Sequence, residues 1–179
     1  TVHYQWAYSH NGGPWTDAGQ NSPTYKVTHG IDNKYRVTVT VSGNPCYDVA
    51  GATSEAFGPI AKADAAAPTV KVSGTQTIGN RLTASVSGQP RDTTATAYQW
   101  QYSSDGGKTW TKSTNEGAKT ASMLLQPDGT LGKLYRCAVA TANDYYDVPM
   151  AYSAATSPIG KGTYGAPTAA IAGGTTIES

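Results

Sequence analysis

Side chains able to do acid–base, nucleophilic or metal chemistry are few in this chain and stand apart from one another. The carboxylates Asp105, Glu116, Asp128, Asp144 and Asp147 fall in separate turn-like segments. No two of them occupy neighbouring strand positions, where a pair is held as general acid and base. The three histidines, His3, His10 and His29, match no zinc-ligand spacing and read as surface residues. The chain contains no Gly-x-Ser-x-Gly elbow, no phosphate-cradling glycine loop and no His-Glu-x-x-His. Asp105-Gly106 and Asp128-Gly129 begin like calcium loops but lack the acidic ligands that must follow. The expectation is a protein that is not an enzyme, with no catalytic residue, no metal and no cofactor. Two cysteines, Cys46 and Cys137, are too few for a disulfide framework.

Recognition chemistry is better represented than catalysis. The best ligand candidate is the loop Asn143-Asp144-Tyr145-Tyr146-Asp147. Adjacent tyrosines on an extended segment point to opposite sides, so at least one is exposed. Tyrosine offers a stacking face and a hydroxyl, which suits a glycan or a protein surface. The counterpart earlier in the chain is Asn44-Pro45-Cys46-Tyr47-Asp48. Tyr145, Tyr146, Asp147 and Tyr47 are therefore the candidate ligand-binding residues. The competing reading has Tyr146 and Tyr47 cover one end of the fold while the aspartates turn the chain.

The elements that must position these residues are strands. In Tyr98-Gln99-Trp100-Gln101-Tyr102-Ser103, aromatic and polar residues alternate. Ser104-Asp105-Gly106-Gly107 then supplies turn chemistry, and Thr109-Trp110-Thr111 restarts an extended run. The complete set of predicted strands is Thr69–Ser73, Arg81–Ser87, Ala97–Ser103, Thr109–Lys112, Thr120–Leu125, Leu134–Ala140 and Met150–Thr156. Leu82, Ala84 and Val86 share one face, and Tyr135, Cys137 and Val139 another. No stretch holds a 3.6-residue period, so no helix is predicted. Net charge is +1 with no basic stripe, and no apolar run reaches the ~20 residues that span a bilayer. Nucleic acid and membrane insertion are excluded as partners. Thr1-Val2-His3-Tyr4 enters strand-like sequence directly, with no leader-like stretch.

The hairpin recurs. Tyr4-Gln5-Trp6 matches Tyr98-Gln99-Trp100, Tyr35-Arg36 matches Tyr135-Arg136, and Tyr47-Asp48-Val49 matches Tyr146-Asp147-Val148. Pro59-Ile60 matches Pro158-Ile159, and Ala67-Pro68-Thr69 matches Ala166-Pro167-Thr168. A period of about 99 residues is the size of one small β-sandwich. The expected organisation is an incomplete unit over 1–61, holding only later strands, a linker over 62–68 and a complete unit over 69–160. Residues 161–179 are a second connector and the opening strand of a further unit.

Trp100 followed by Leu134-Tyr135-Arg136-Cys137 resembles the immunoglobulin pattern, in which a core Trp accompanies a tyrosine two positions before a cysteine. With Ser-Asp-Gly-Gly-Lys-Thr-Trp and Tyr-Arg, the set is similar to the immunoglobulin-like repeats of bacterial cell-surface and secreted proteins. The resemblance implies an all-β Greek-key sandwich with Trp6, Trp100, Tyr35, Tyr135 and Cys137 as structural core. It also implies an extracellular, secreted or surface-attached protein acting as a stalk, spacer or adhesion element. Partners would be a host or matrix protein or a glycan. Ala84 or Val86 stands opposite Cys137 and Val37 replaces it in the first unit, so Cys137 is expected to be a buried thiol. Ser103-x-Asp105-x-Gly107-x-x-Trp110 also has the Asp-box spacing of sialidase propellers, but those blades recur every 40–50 residues. The plain hairpin is favoured. In bacterial surface domains a Lys–Asn cross-link also occurs, with Lys71 or Lys119 and Asn143 or Asn115 as the groups to consider. Two further readings stay open: a carbohydrate-binding module stacking sugars on Tyr145, Tyr146, Trp110 or Tyr47, and a filament subunit whose end segments exchange strands.

Overall fold

The computed structural model describes residues 1–28, 30–43 and 46–167. His29, the Asn44-Pro45 part of the earlier loop and most of the expected terminal strand, from Thr168 on, lie outside the described residues. The chain is all-β, with no helix among the described residues. It divides into two compact units. Thr1–Thr69, Val86–Ala97 and Val139–Ala151 form unit 1; Val70–Ser85, Tyr98–Ala138 and Tyr152–Ser179 form unit 2.

In unit 1, β1 (Val2–His10) pairs antiparallel with β2 (Thr16–Asp17) and with β3 (Asn33–Val41), and β3 also pairs with β4 (Ala52–Thr53). The register sets Trp6 against Val37 and Tyr8 against Tyr35. Period-2 alternation puts Tyr4, Trp6 and Tyr8 on one face, where aromatic cross-strand pairs stabilise the ladder. Tyr35 is buried, and Tyr25 stacks between it and Trp6 at centroid distances of 5.4 and 5.5 Å. Trp6 donates its indole N–H to the Ser22 carbonyl at 2.8 Å but is only half-buried. The reason is topological: β2-β1-β3-β4 is a single sheet, and among the described residues of the unit no three-stranded sheet faces it.

The later strands form two further sheets, to which unit 2 contributes most of the residues. β6 (Thr69–Ser73), β7 (Arg81–Ser87) and β10 (Ser122–Leu124) form one sheet in the order β10-β7-β6. β8 (Thr93–Ser103), β9 (Thr111–Lys112), β11 (Leu134–Asn143) and β13 (Ala151–Tyr152) form the other, in the order β13-β11-β8-β9. Val70, Leu82, Ala84 and Met123 from the first sheet, and Trp100, Tyr135 and Cys137 from the second, are all buried. Trp100 and Cys137 are fully enclosed at 0% exposure. Trp100 satisfies its indole N–H on the Thr120 carbonyl at 3.0 Å, and Tyr135 donates its hydroxyl to Thr130 Oγ1 at 3.2 Å, upstream of its own strand. Each bond removes the cost of burying an unpaired donor.

β6 and β7 have the predicted bounds. The last strand is shorter than its expected Met150–Thr156. The Ser153 and Thr156 hydroxyls accept the backbone N–H groups of Cys137 and Tyr135 at 3.0 and 2.9 Å, in place of carbonyls. That substitution interrupts the ladder after Tyr152, although Ser153 N and Thr156 N still donate to the Cys137 and Tyr135 carbonyls. The turn before β9 needs its glycines: Gly106 and Gly107 sit at φ 74° and 93°, where a Cβ is disfavoured.

Candidate functional site

The tyrosine loop is built by Asn143, the last residue of β11. Asn143 is 4% exposed. Its Oδ1 accepts the N–H groups of Tyr145 and Tyr146 at 2.9 and 3.0 Å, and its Nδ2 donates to the Arg91 carbonyl at 2.7 Å. An Asx side chain that takes the amides two and three residues on imposes the turn. β12 (Tyr146–Asp147) then runs parallel to β5 (Ala63–Asp64), with Tyr146 opposite Ala63 and Asp147 opposite Asp64. Ala63 N donates to the Tyr145 carbonyl and Ala65 N to the Asp147 carbonyl, both at 3.0 Å. Lys62 Nζ donates to the Asn143 carbonyl at 2.6 Å. The residues read as a linker therefore carry a two-residue strand that the sequence did not reveal. Its pairing is too short to leave a period.

Tyr145 and Tyr146 are half-buried, and with Val27, Ile31, Ile60 and Ala63 they wall a groove of about 210 Å³. That is below the ~300–1,000 Å³ of small-molecule pockets. Asp147 is exposed beside them. Tyr47 is 75% exposed and is not part of this groove. The four candidate residues thus separate into one pair lining a groove, one exposed carboxylate next to it, and one exposed tyrosine outside it.

The Asp105 turn is a closed set of hydrogen bonds. The Thr109 hydroxyl donates to Oδ2 at 2.6 Å, Thr109 N to Oδ1 at 2.9 Å, and the Ser103 hydroxyl to Oδ1 at 2.7 Å. Gly107 N donates to Ser103 Oγ at 2.8 Å, and Trp110 Nε1 to the Gly107 carbonyl at 3.0 Å. The Thr109 hydroxyl first, then the Thr109 N–H and the Ser103 hydroxyl, hold the Asp105 carboxyl well below the usual carboxylate range. A depressed folded-state pKa adds stability above the unfolded value, and that stability is lost as pH falls through it. The margin of the native chain over Asp105→Ala should therefore be full at neutral pH and shrink from about pH 5 downward. Parallel urea titrations of both proteins across that range check it. An unchanged gap would mean that the carboxylate charge plays no part.

Arginine–aromatic stacks recur in both units. Arg36 lies 4.1 Å from the Trp15 ring centre. Arg136 lies between Trp110 and Tyr152, at 4.3 and 4.4 Å, with Nε donating to Gln101 Oε1 at 2.8 Å. The signal was present in the repeated Tyr-Arg and the Trp closing each hairpin. Such stacks contribute about 0.5–2 kcal/mol and order an exposed face.

Neither cysteine is in a disulfide. Cys137 is enclosed, and burial pushes its thiol up to about 11, whereas Cys46 is exposed. In native protein at pH 8, a thiol-disulfide reagent should modify one cysteine quickly, and Cys46→Ser should abolish that fast phase. In denaturant both should react. A second fast native thiol would refute the enclosure of Cys137. The groups considered for a cross-link are otherwise engaged: Asn143 Nδ2 on Arg91, and Asn115 Nδ2 on the Leu124 carbonyl at 3.1 Å, while Lys71 and Lys119 are exposed.

A larger and mostly apolar opening of unit 1 is on its sheet, not at the loop. A cleft of about 390 Å³ is walled by Trp6, Tyr25, Tyr35, Val37 and Phe57. Phe57, the chain's single phenylalanine, is 74% exposed. The repeat held a signal for it, since Phe57 stands where the later unit has Thr156. Among the described residues no three or more His, Cys, Asp or Glu side chains gather as metal donors.

No family model matches the chain, and no curated protein matches it. Among solved structures it is similar to a two-domain fibronectin type III segment of chicken tenascin. The identity is 16% and the TM-score 0.42, over 87% of this chain and 83% of that one. It is similar also to a segment of domains from titin, at 14% identity and a TM-score of 0.38, over 90% of this chain. The chain spans 55% of the length of that titin segment.

Proposed function

We propose that this chain is a non-catalytic tandem module of an exported bacterial surface protein, serving as a stalk or spacer. The observation that carries the reading is the reuse of one scaffold. The Trp indole-to-carbonyl bond, the buried Tyr and the Arg–Trp stack occur in both units, while among the described residues no three His, Cys, Asp or Glu side chains gather as metal donors. Repetition of a packing solution without repetition of a polar site suits a part whose task is length and stiffness. The test is antibody labelling of intact source cells with serum raised against residues 69–160. Labelling without permeabilisation supports the reading, and labelling only after permeabilisation overturns it.

A second reading is favoured by the groove at Tyr145 and Tyr146. There, an exposed sugar edge would stack on a tyrosine and bond to Asp147. Glycan-array binding that disappears in Tyr146→Ala would establish it, and an array blank for the native chain would remove it.

A further inference from the structure

One arginine of unit 2 is fixed in place yet has no counter-ion. Arg136, on β11, is half-buried. Its guanidinium lies between the rings of Trp110 and Tyr152. Its Nε donates to Gln101 Oε1, and its Nη1 and Nη2 groups have no hydrogen-bond partner among the described residues. Two rings and one amide thus set the plane of the guanidinium and leave the end of its fork unused. That end takes a carboxylate through two parallel N–H bonds. Trp110 is itself anchored by its indole N–H on the Gly107 carbonyl, so the clamp stands without a ligand. An arginine already ordered in this way binds at a lower entropic cost.

A second cation lies in the same row. Lys112 stands opposite Gln101 in the β8–β9 register. Register partners point to one face of a sheet, so Tyr152, Arg136, Gln101 and Lys112 run in a row across β13-β11-β8-β9. All four residues belong to unit 2. The strands of the two cations are two spacings apart, about 10 Å. Lys112 is exposed and Tyr152 is 47% exposed. Among the described residues neither Arg136 nor Lys112 is in an ion pair.

Unit 1 repeats the frame without this row. Ser54 N donates to the Val37 carbonyl as Ser153 N does to that of Cys137, which sets Thr53 in the place of Tyr152. Ala18 N donates to the Trp6 carbonyl as Ser113 N does to that of Trp100. That match sets the register pair Ala7 and Asp17 in the places of Gln101 and Lys112. Arg36 keeps its stack on Trp15 but has no second ring and no amide clamp, and a carboxylate stands where unit 2 has its lysine. The Arg–Trp stack therefore belongs to the common scaffold, and the cationic row is an addition made in unit 2 alone.

We propose that this row binds a carboxylated polysaccharide. One carboxylate would be held end-on by the Arg136 Nη groups, and a sugar ring would lie against the exposed part of Tyr152. A further carboxylate along the same polymer would meet Lys112, which a single small acid could not do while held on Arg136. A peptide is the poorer fit, because peptides add to sheet edges or enter grooves, and this row crosses an open sheet face. The site is separate from the groove at Tyr145 and Tyr146 and needs neither export nor a stalk role.

Isothermal titration of the full chain with polygalacturonate, which carries a carboxylate on each sugar, tests it. The expected result is saturable binding that weakens as sodium chloride rises from about 20 to about 300 mM. The fully methyl-esterified polymer should not bind. Arg136→Lys keeps the charge but loses the fork, and should weaken binding about tenfold or more. Lys112→Asp places the unit 1 residue on an exposed position of unit 2 and should weaken binding to a similar degree. It decides the matter if thermal melting shows that Arg136→Lys does not fold. Arg36→Lys and Tyr146→Ala should bind as the native chain does, the second separating this row from the tyrosine groove. Absence of binding at low salt overturns the proposal, as does native affinity in the folded Arg136 and Lys112 variants or a loss in Arg36→Lys. Equal binding of the esterified polymer removes the carboxylate, and binding of dextran sulfate in place of polygalacturonate does the same. Equal binding of poly-glutamate removes the polysaccharide.

Discussion

Replacing Trp100 by alanine is expected to remove about 3–5 kcal/mol of stability, the range for truncating a fully buried large aromatic. Trp100 is 0% exposed, on a strand of the sheet that also carries the buried Tyr135 and Cys137, and Leu82, Ala84 and Met123 of the other sheet are buried as well. Its removal leaves a cavity that two hydrogen-bonded sheets cannot close, and it strips the Thr120 carbonyl of its donor. Small domains have only about 5–15 kcal/mol in total, so the variant should lose a large part of its margin and melt at a clearly lower temperature. Trp100→Phe separates the two contributions, since it retains most of the volume and loses only the indole N–H. The same change at Trp6 should cost less than about 2 kcal/mol, because Trp6 is half-buried on a sheet with no described facing layer. Calorimetry of the three variants measures this. Equal losses at Trp100 and Trp6 would show that the two repeats enclose their tryptophans alike, contrary to the structure.

That asymmetry marks where sequence reading succeeds and where it stops. Alternation at Leu82, Ala84, Tyr135 and Cys137 is a local signal, and local signals predict β6 and β7 to the residue. The Asp105 turn is likewise legible, because a short side chain bonding its own backbone neighbours needs nothing from elsewhere. Trp6 and Trp100 read identically, yet only one is enclosed. Burial depends on which layer lies opposite, and that is a property of distant strands. The loop 143–147 stands out in the sequence for its tyrosines, whereas the residue that builds it is Asn143. Its three bonds reach 52 residues back to Arg91 as well as two and three residues on. The β5–β12 pair has no period and arises from chain segments brought together by pairing elsewhere. The cleft at Phe57 depends on such pairing too, although the repeat marks Phe57 itself by setting it where the later unit has Thr156.

Asn143→Ala is expected to cost about 2–3 kcal/mol, the second-largest loss among these predictions. One side chain serves three partners from a buried position: Arg91 as acceptor, and Tyr145 and Tyr146 as donors. Each buried group left unsatisfied costs about 1–3 kcal/mol, but water reaches the half-buried tyrosine amides, so the sum falls at the lower end. Asn143→Asp is the sharper probe. It keeps an oxygen for the two amides and replaces the donating NH2 with a carboxylate facing the Arg91 carbonyl, so it should recover little of the loss at neutral pH. Amide exchange reports the consequence locally. Tyr145 and Tyr146 lose their acceptor directly, and Ala63 and Ala65 lose the partner strand that this turn aims at them. Their exchange should accelerate together in both variants while that of Trp100, inside its own sheet, stays slow. Acceleration confined to the two tyrosines would mean that the β5–β12 pair holds the linker without the turn. Acceleration at Trp100 as well would mean that the loop and the sandwich open as one cooperative element.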